Sequence, residues 1–257
     1  MKTFVLSTLS EEDMMRLEKE CNLALRLQPD AGRIDPRVLM DGDQAALLLR
    51  DLTNRLQSPS LYVTASLLLK QYSYCLLMPT LYAMTLLDKG LKVGADNCLL
   101  EVTFPGEGAW RARLHLKERE VSSPEGSDRA SWREEIVGAV FRDHLAKVIR
   151  TVSRVSGLSP TVLWENASIY FYWMYETYMP GKAGEEKRSR INEDFHCLLS
   201  AHPSLFGERK NPLKRFFCEK CCLPGCDQPV RIRKTCCLYC EVGDGQLCQT
   251  CPKRRCR

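Results

Sequence analysis

The sequence predicts a mainly α-helical body with one small β-hairpin, an α+β arrangement, followed by a small cysteine-rich module. Three observations predict it. Apolar residues recur at helical spacing through most of the first 200 positions. One short stretch switches to alternation around a Pro-Gly turn. Ten of the 14 cysteines fall between Cys218 and Arg257. The division is expected at residues 1–206 for the body and 207–257 for the module.

Ser10 followed by Glu11, Glu12 and Asp13 has the form of a helix start, a capping hydroxyl before first-turn carboxylates. That helix is expected to run to about Leu27 and stop before Pro29. A second pattern covers Ala45 to Leu56, with leucines at 47, 48, 49, 52 and 56. Ser58-Pro59-Ser60 opens a third helix, Leu61 to Tyr74, and Pro79 begins a fourth, Thr80 to Leu87, closed by Asp88-Lys89-Gly90. Cys98 to Phe104 and Trp110 to Leu116 flank Pro105-Gly106-Glu107-Gly108, and the alternation of the second run predicts the hairpin. Ser122 to Asp128 is expected as a polar loop. Trp132 to Val155 is a long amphipathic helix. Pro160 starts another, Thr161 to Tyr178, dense in aromatics and ended by Pro180-Gly181. Charged residues then lead to a last helix near Ile191 to Ala201. A basic linker after Pro203 joins it to the cysteines.

At 257 residues the chain buries a full core, and 44% hydrophobic with 27% charged residues is an ordinary globular composition. The net charge of +5 is uneven: the residues from Gly207 onward carry +7 and the 206 before them −2. A basic excess beside a metal site suits an anionic partner, or offsets the charge of the site itself. Glu11, Glu12 and Asp13 interrupt any signal-peptide core. The most apolar stretch, Leu61 to Leu87, is broken by Lys70, Gln71 and Pro79, so no transmembrane segment is expected. A cytoplasmic location follows, and there clustered thiols are metal ligands rather than disulfides.

Two metal readings fit the spacing. Cys218-x2-Cys221 and Cys237-x2-Cys240, 15 residues apart, have zinc-ribbon spacing and would make a zinc-stabilised interaction or nucleic-acid-binding module. Alternatively Cys236, Cys237, Cys248 and Cys251, spaced Cys-Cys-x10-Cys-x2-Cys, hold a [2Fe–2S] cluster. Adjacent side chains on an extended backbone diverge, which is awkward around one zinc and suits the separated thiolate positions of a two-iron rhomb. Cys218, Cys221, Cys222, Cys226, Cys240 and Cys256 fall outside the four; they are bystanders, a second site made by Cys218, Cys221, Cys222 and Cys226, or exchanging ligands.

Arg233-Lys234-Thr235-Cys236-Cys237-Leu238-Tyr239, with Cys248-Gln249-Thr250-Cys251-Pro252, resembles the cluster motif of FhuF-like siderophore-iron reductases. The body passages Val63 to Tyr72, Pro79 to Thr85 and Leu163-Trp164-Glu165-Asn166-Ala167 are similar to that family, whose fold is like the C-terminal domain of aerobactin-type synthetases. The likeness spans roughly Ser58 to Pro252. It implies a ferric-siderophore reductase: one-electron reduction of chelated Fe(III) through a [2Fe–2S] cluster on Cys236, Cys237, Cys248 and Cys251, releasing Fe(II) in the cytosol.

Ferric iron is a hard cation held by hydroxamate, catecholate and α-hydroxycarboxylate oxygens, and reduction weakens that hold. No general base or nucleophile is needed, so no catalytic residue beyond the cluster ligands is expected. Arg231, Arg233, Lys234, Lys70 and Tyr72 are candidate substrate contacts for a hydroxamate or mixed-type chelate. The three basic residues before the first ligand would also raise the cluster's potential or form a solvated face. Trp164, Tyr172, Trp173 and Tyr175 read first as core, and otherwise as a chelate pocket or electron path. Glu165 and Asn166, inside an apolar helix start, are expected to be hydrogen-bonded or beside a cavity. His115, His144, His196 and His202 show no ligand spacing. Gly106-x-Gly108 is no dinucleotide fingerprint. The electron donor is therefore expected to be another protein or a soluble reductant. Nucleic acid is not an expected partner, and peripheral membrane association is compatible with the sequence.

Overall fold

A computed structural model describes residues 4–106, 109–126, 128–222, 229–242 and 245–254. The fold is mainly helical, 57% of it, with small antiparallel sheets of three strands. Strand β1 (Phe4–Thr8) leads into α1 (Glu11–Cys21), capped by the Ser10 side chain accepting from the Asp13 N–H as the sequence predicts. The helix ends at Cys21, not near Leu27. Asn22 turns left-handed at φ 58°, and the next residues run against the hairpin, with Ala24 N–H donating to the Leu114 carbonyl at 2.7 Å.

Strand β2 (Gly32–Ile34) and a short turn of 3-10 helix precede α2 (Gly42–Arg55). Helix α3 (Leu61–Tyr82) is one continuous element that passes into a π-helical turn, Ala83–Leu87. The two helices expected here are thus fused through Pro79. The helix is buried on nearly every side, and that packing outweighs the local cost of a proline. Its left-handed terminator is Asp88 at φ 51°, while Gly90 belongs to β3 (Gly90–Leu91).

The hairpin forms as predicted from β4 (Cys98–Gly106) and β5 (Ala109–Leu116), in register Leu100 to Leu114; its tip at Glu107 and Gly108 lies outside the described residues. Strand β6 (Glu120–Pro124) occupies most of the predicted polar loop. Only Val121 of that strand is buried, so its sequence carries little alternation, and its backbone pairs with β1 and β3. The sheets run β1-β6-β3 and β2-β4-β5.

Helix α4 (Arg129–Val140), a π turn and α5 (Ala146–Ser156) make the long predicted helix. Helix α6 (Pro160–Trp173) passes through a π turn, Met174–Tyr178, into α7 (Met179–Lys182), so Pro180-Gly181 does not end it; Ala183, extended, does. Helix α8 (Glu185–Ser200) follows. The expected basic linker is instead packed structure: α9 (Pro212–Phe216) and the turn before it bury Phe206, Leu213 and Phe216. Each large apolar side chain so buried contributes roughly 1.5–3 kcal/mol.

Helices α3 and α6 lie against each other through the core. Most of the aromatic helix is core, as first expected. Phe171 stacks on Phe195 at 5.3 Å between ring centroids, Trp164, Tyr172 and Tyr175 are buried, and Trp173 is the exposed member. The Tyr172 hydroxyl donates to the Leu213 carbonyl at 2.5 Å and Trp164 Nε1 to Glu208 at 3.1 Å, tying α6 to the segment after α8. Among the described residues no helix is long and apolar enough to cross a membrane.

Candidate metal centre and its cleft

The cysteine loop is held by polar side chains that α3 and α6 keep inside the protein. Glu165, 1% exposed, accepts the backbone N–H of Lys234 at 2.6 Å and that of Thr235 at 2.7 Å, and also the Thr235 hydroxyl. Asn166 accepts from Arg233 Nη2 at 2.5 Å and donates to the Ser66 hydroxyl at 3.0 Å. Ser66 in turn donates to the Cys237 carbonyl at 2.7 Å. An apolar helix carries a carboxylate and an amide at these positions because burial requires a partner for each, and the loop's backbone supplies it. The Arg233 N–H donates to the Thr250 carbonyl at 2.9 Å, bringing the second cysteine pair to the first.

Cys237 and Cys251 are buried; Cys236, Cys240 and Cys248 are partly exposed. The Cys237 and Cys248 sulphurs stand 3.9 Å apart. Contact with the Cys248 sulphur drives the Cys237 thiol down to about 5, with Lys70 and Arg233 helping, and that shared contact raises Cys248. Burial raises Cys236, and the nearby Cys240, Cys251 and Cys237 thiols add to the rise. Leu238 takes a left-handed conformation, φ 60°, and its N–H points at Cys236 Sγ, 3.4 Å away. By contrast burial pushes Cys75 and Cys98 up to about 12, which leaves them inert.

Among the described residues no three Cys, His, Asp or Glu side chains converge on one point to hold a single ion as they stand. A close pair of sulphurs flanked by two further thiols, with an N–H aimed at one sulphur, is a donor set that fits an iron–sulphur cluster. The close Cys237–Cys248 pair belongs to the four-cysteine motif and not to the zinc-ribbon set. Cys218 lies by the Ile232 carbonyl at 3.5 Å, and Cys221 sits in a bridge paired with Val230. Cys226 and Cys256 lie outside the described residues.

A cleft of about 390 Å³ opens beside this centre, lined by Leu67, Lys70 and Gln71 of α3, Trp110 of β5, Tyr170 of α6, and Tyr239 with Val242 of the tail. Lys70 Nζ stands 4.9 Å over the Tyr239 ring. Of the predicted substrate contacts the structure brings Lys70 to the cleft and leaves Lys234 exposed, its ammonium donating to the Arg215 carbonyl at 2.7 Å. The other three are turned inward. Arg231 pairs with Glu176 at 2.6 Å over the Phe217 ring, Arg233 is 4% exposed against Asn166 and Glu165, and Tyr72 is 1% exposed with its hydroxyl on His144. Trp110, Tyr170 and Tyr239 line the cleft although no sequence pattern marks them. Ser66, also missed, sits in the apolar run Val63 to Leu69, where a buried hydroxyl was the available signal.

The sequence model of the family described as "Ferric iron reductase FhuF-like transporter" matches residues 66–223, so the match ends before Cys236. No curated protein matches the chain. Among solved structures, aerobactin synthetase IucC from a hypervirulent pathotype of Klebsiella pneumoniae is similar to 73% of this chain at 14% identity, with a TM-score of 0.49. The chain spans 36% of that synthetase's length.

Proposed function

The chain belongs to the FhuF-like ferric iron reductase family, and on that footing we propose that it reduces siderophore-bound Fe(III) to Fe(II) one electron at a time, freeing the iron in the cytosol. In this reading residues 207–257 form the metal-holding module on the body of residues 1–206. Cys236, Cys237, Cys248 and Cys251 hold a [2Fe–2S] cluster, which supplies one-electron transfer when bound.

The remaining work belongs to the chain. Glu165, Asn166 and Ser66 hold the segment of residues 233–237 by hydrogen bonds, which positions Cys236 and Cys237 on the body. Arg233 is a buried cation near the thiols, with Glu165 3.9 Å away, and whatever positive charge that carboxylate leaves uncompensated would favour the more negative, reduced state. The cleft offers Trp110, Tyr170 and Tyr239 as flat faces for the chelate's organic frame, and Lys70 as a cation for its oxygens. Hydroxamate or mixed-type chelates suit one cation among aromatics better than a highly charged chelate does.

The observation that carries the reading is the position of Lys70. Its ammonium packs on the Tyr239 ring at the cleft wall, and Tyr239 is two residues from Cys237. A chelate seated in this cleft would lie within a few residues of the thiols. The test mixes anaerobically reduced protein with ferric hydroxamate chelates and a ferrous trap. Formation of trapped Fe(II) with reoxidation of the protein is expected; no reoxidation by any chelate would sink the proposal.

A further inference from the structure

Five cations gather on one face next to the cysteine loop: Arg209, Lys210, Lys214, Arg215 and Lys234. All are exposed. Among the described residues none of the five has an ion-pair partner, although Arg and Lys elsewhere on the protein commonly do. The face is also rigid. Asn211 donates to the carbonyls of Leu198 and Ala201 at 2.9 and 3.0 Å and accepts the N–H groups of Leu213 and Lys214. Leu213 and Phe216 are buried beneath it. Four of the cations rim an open groove of about 500 Å³. Lys234 joins that groove to the centre, since its ammonium donates to the Arg215 carbonyl at 2.7 Å and Cys236 is two residues on.

We propose that this face docks a small, acidic one-electron carrier protein, the reductant for the cysteine centre. The inference rests on the reductase reading above. Unpaired like charges held on a rigid surface repel one another, and an anionic partner relieves that repulsion and is steered in by it. Nucleic acid or an anionic membrane would be attracted by the same charge. What favours a redox partner is place: the Lys234 ammonium bonds the carbonyl of Arg215 on the groove's rim, and Cys236 is two residues further along the chain. The chelate cleft uses Lys70, Trp110, Tyr170 and Tyr239, none of them shared with this face, so donor and chelate can be bound together. Each encounter moves one electron. The carrier's reduced iron–sulphur or flavin group would be oxidised by one electron, and a [2Fe–2S] cluster held by Cys236, Cys237, Cys248 and Cys251 would accept it, with no atom exchanged.

The experiment is calorimetric titration of the full chain, loaded and metal-free, with a plant-type [2Fe–2S] ferredoxin of strongly negative net charge at low salt. Saturable binding is expected, weakened about tenfold or more by Arg209→Glu with Lys210→Glu and lost at about 0.5 M salt. Lys214→Glu should weaken it independently. Ferredoxin binding with no Fe(II) release from any chelate means that the reductase reading fails while the docking face stands. Unchanged affinity in the charge-reversed proteins that keep the native circular dichroism overturns the docking face. So does tighter binding of an oligonucleotide, or of phosphatidylserine vesicles, than of the ferredoxin.

Discussion

Glu165 Oε1 lies 2.6 Å from the backbone nitrogen of Lys234, so a carboxylate on a core helix grips the main chain two residues before Cys236. Glu165→Ala removes the acceptor of three donors and leaves Arg233 without its carboxylate. Breaking a buried ionic contact of this kind costs about 3–5 kcal/mol. The urea midpoint should fall accordingly, and iron taken up on reconstitution should drop well below that of the native protein. Glu165→Gln keeps one acceptor oxygen and should recover part of both. Native melting and iron uptake in the alanine variant would show that the carboxylate does not hold the loop.

Serine in place of Cys236, Cys237, Cys248 or Cys251 should abolish a visible iron–sulphur spectrum and Fe(II) release. The native protein should contain about two irons and two sulfides per chain. Serine at Cys218, which sits by the Ile232 carbonyl, or at exposed Cys222 should leave both unchanged. Absorption and EPR spectra of the dithionite-treated proteins decide the matter. Full metal content in Cys237→Ser would remove that residue from the ligand set.

The His144 ring is buried, and burial disfavours its charged form. Nδ1–H donates to the Val93 carbonyl at 2.6 Å, the Tyr72 hydroxyl donates to Nε2, and burial lowers the pKa from the usual 6.5. The unfolded chain therefore binds this proton at higher pH than the folded one. Stability held above pH 6.5 should decline as pH falls from 6.5 toward the lowered folded value, then level off. His144→Gln should be less stable throughout but should lose that part of the slope. Urea midpoints measured between about pH 8 and pH 5 test it; identical slopes in the two proteins would refute it.

Trp110→Ala and Tyr239→Ala remove flat faces from the cleft while leaving the cysteine loop's hydrogen bonds intact. The KM for ferric hydroxamates should rise about three- to tenfold, with kcat changed less. Steady-state rates with the ferrous trap give both constants. An effect on kcat alone would place the rings in the path of the electron instead of the chelate's seat.

Much of the fold was legible because periodicity reports burial. The hairpin, the long helix through Ile136 and Val152, and the aromatic core helix all follow the apolar pattern. The errors have physical causes. Pro79 and Pro180 sit in helices whose packing outweighs the local cost, Asn22 takes a turn that glycine more often marks, and β6 is a strand defined by backbone pairing with almost no apolar face. At the site the cysteine spacing was readable, as was the oddity of Glu165 and Asn166 in an apolar run. Their partners were not, since Glu165 meets Lys234 and Ser66 meets Cys237 from far along the chain. Charge alone could not separate Arg231 and Arg233, paired inside, from Lys234, which faces water.

The bond from Ser66 to Cys237 joins residues 171 positions apart. Loops of that length close late, after nearer contacts have formed. Synthesis runs in the same order, so Ser66, Glu165 and Asn166 leave the ribosome well before Arg233 does. The polar platform on α3 and α6 is thus synthesised before the cysteine loop that it holds.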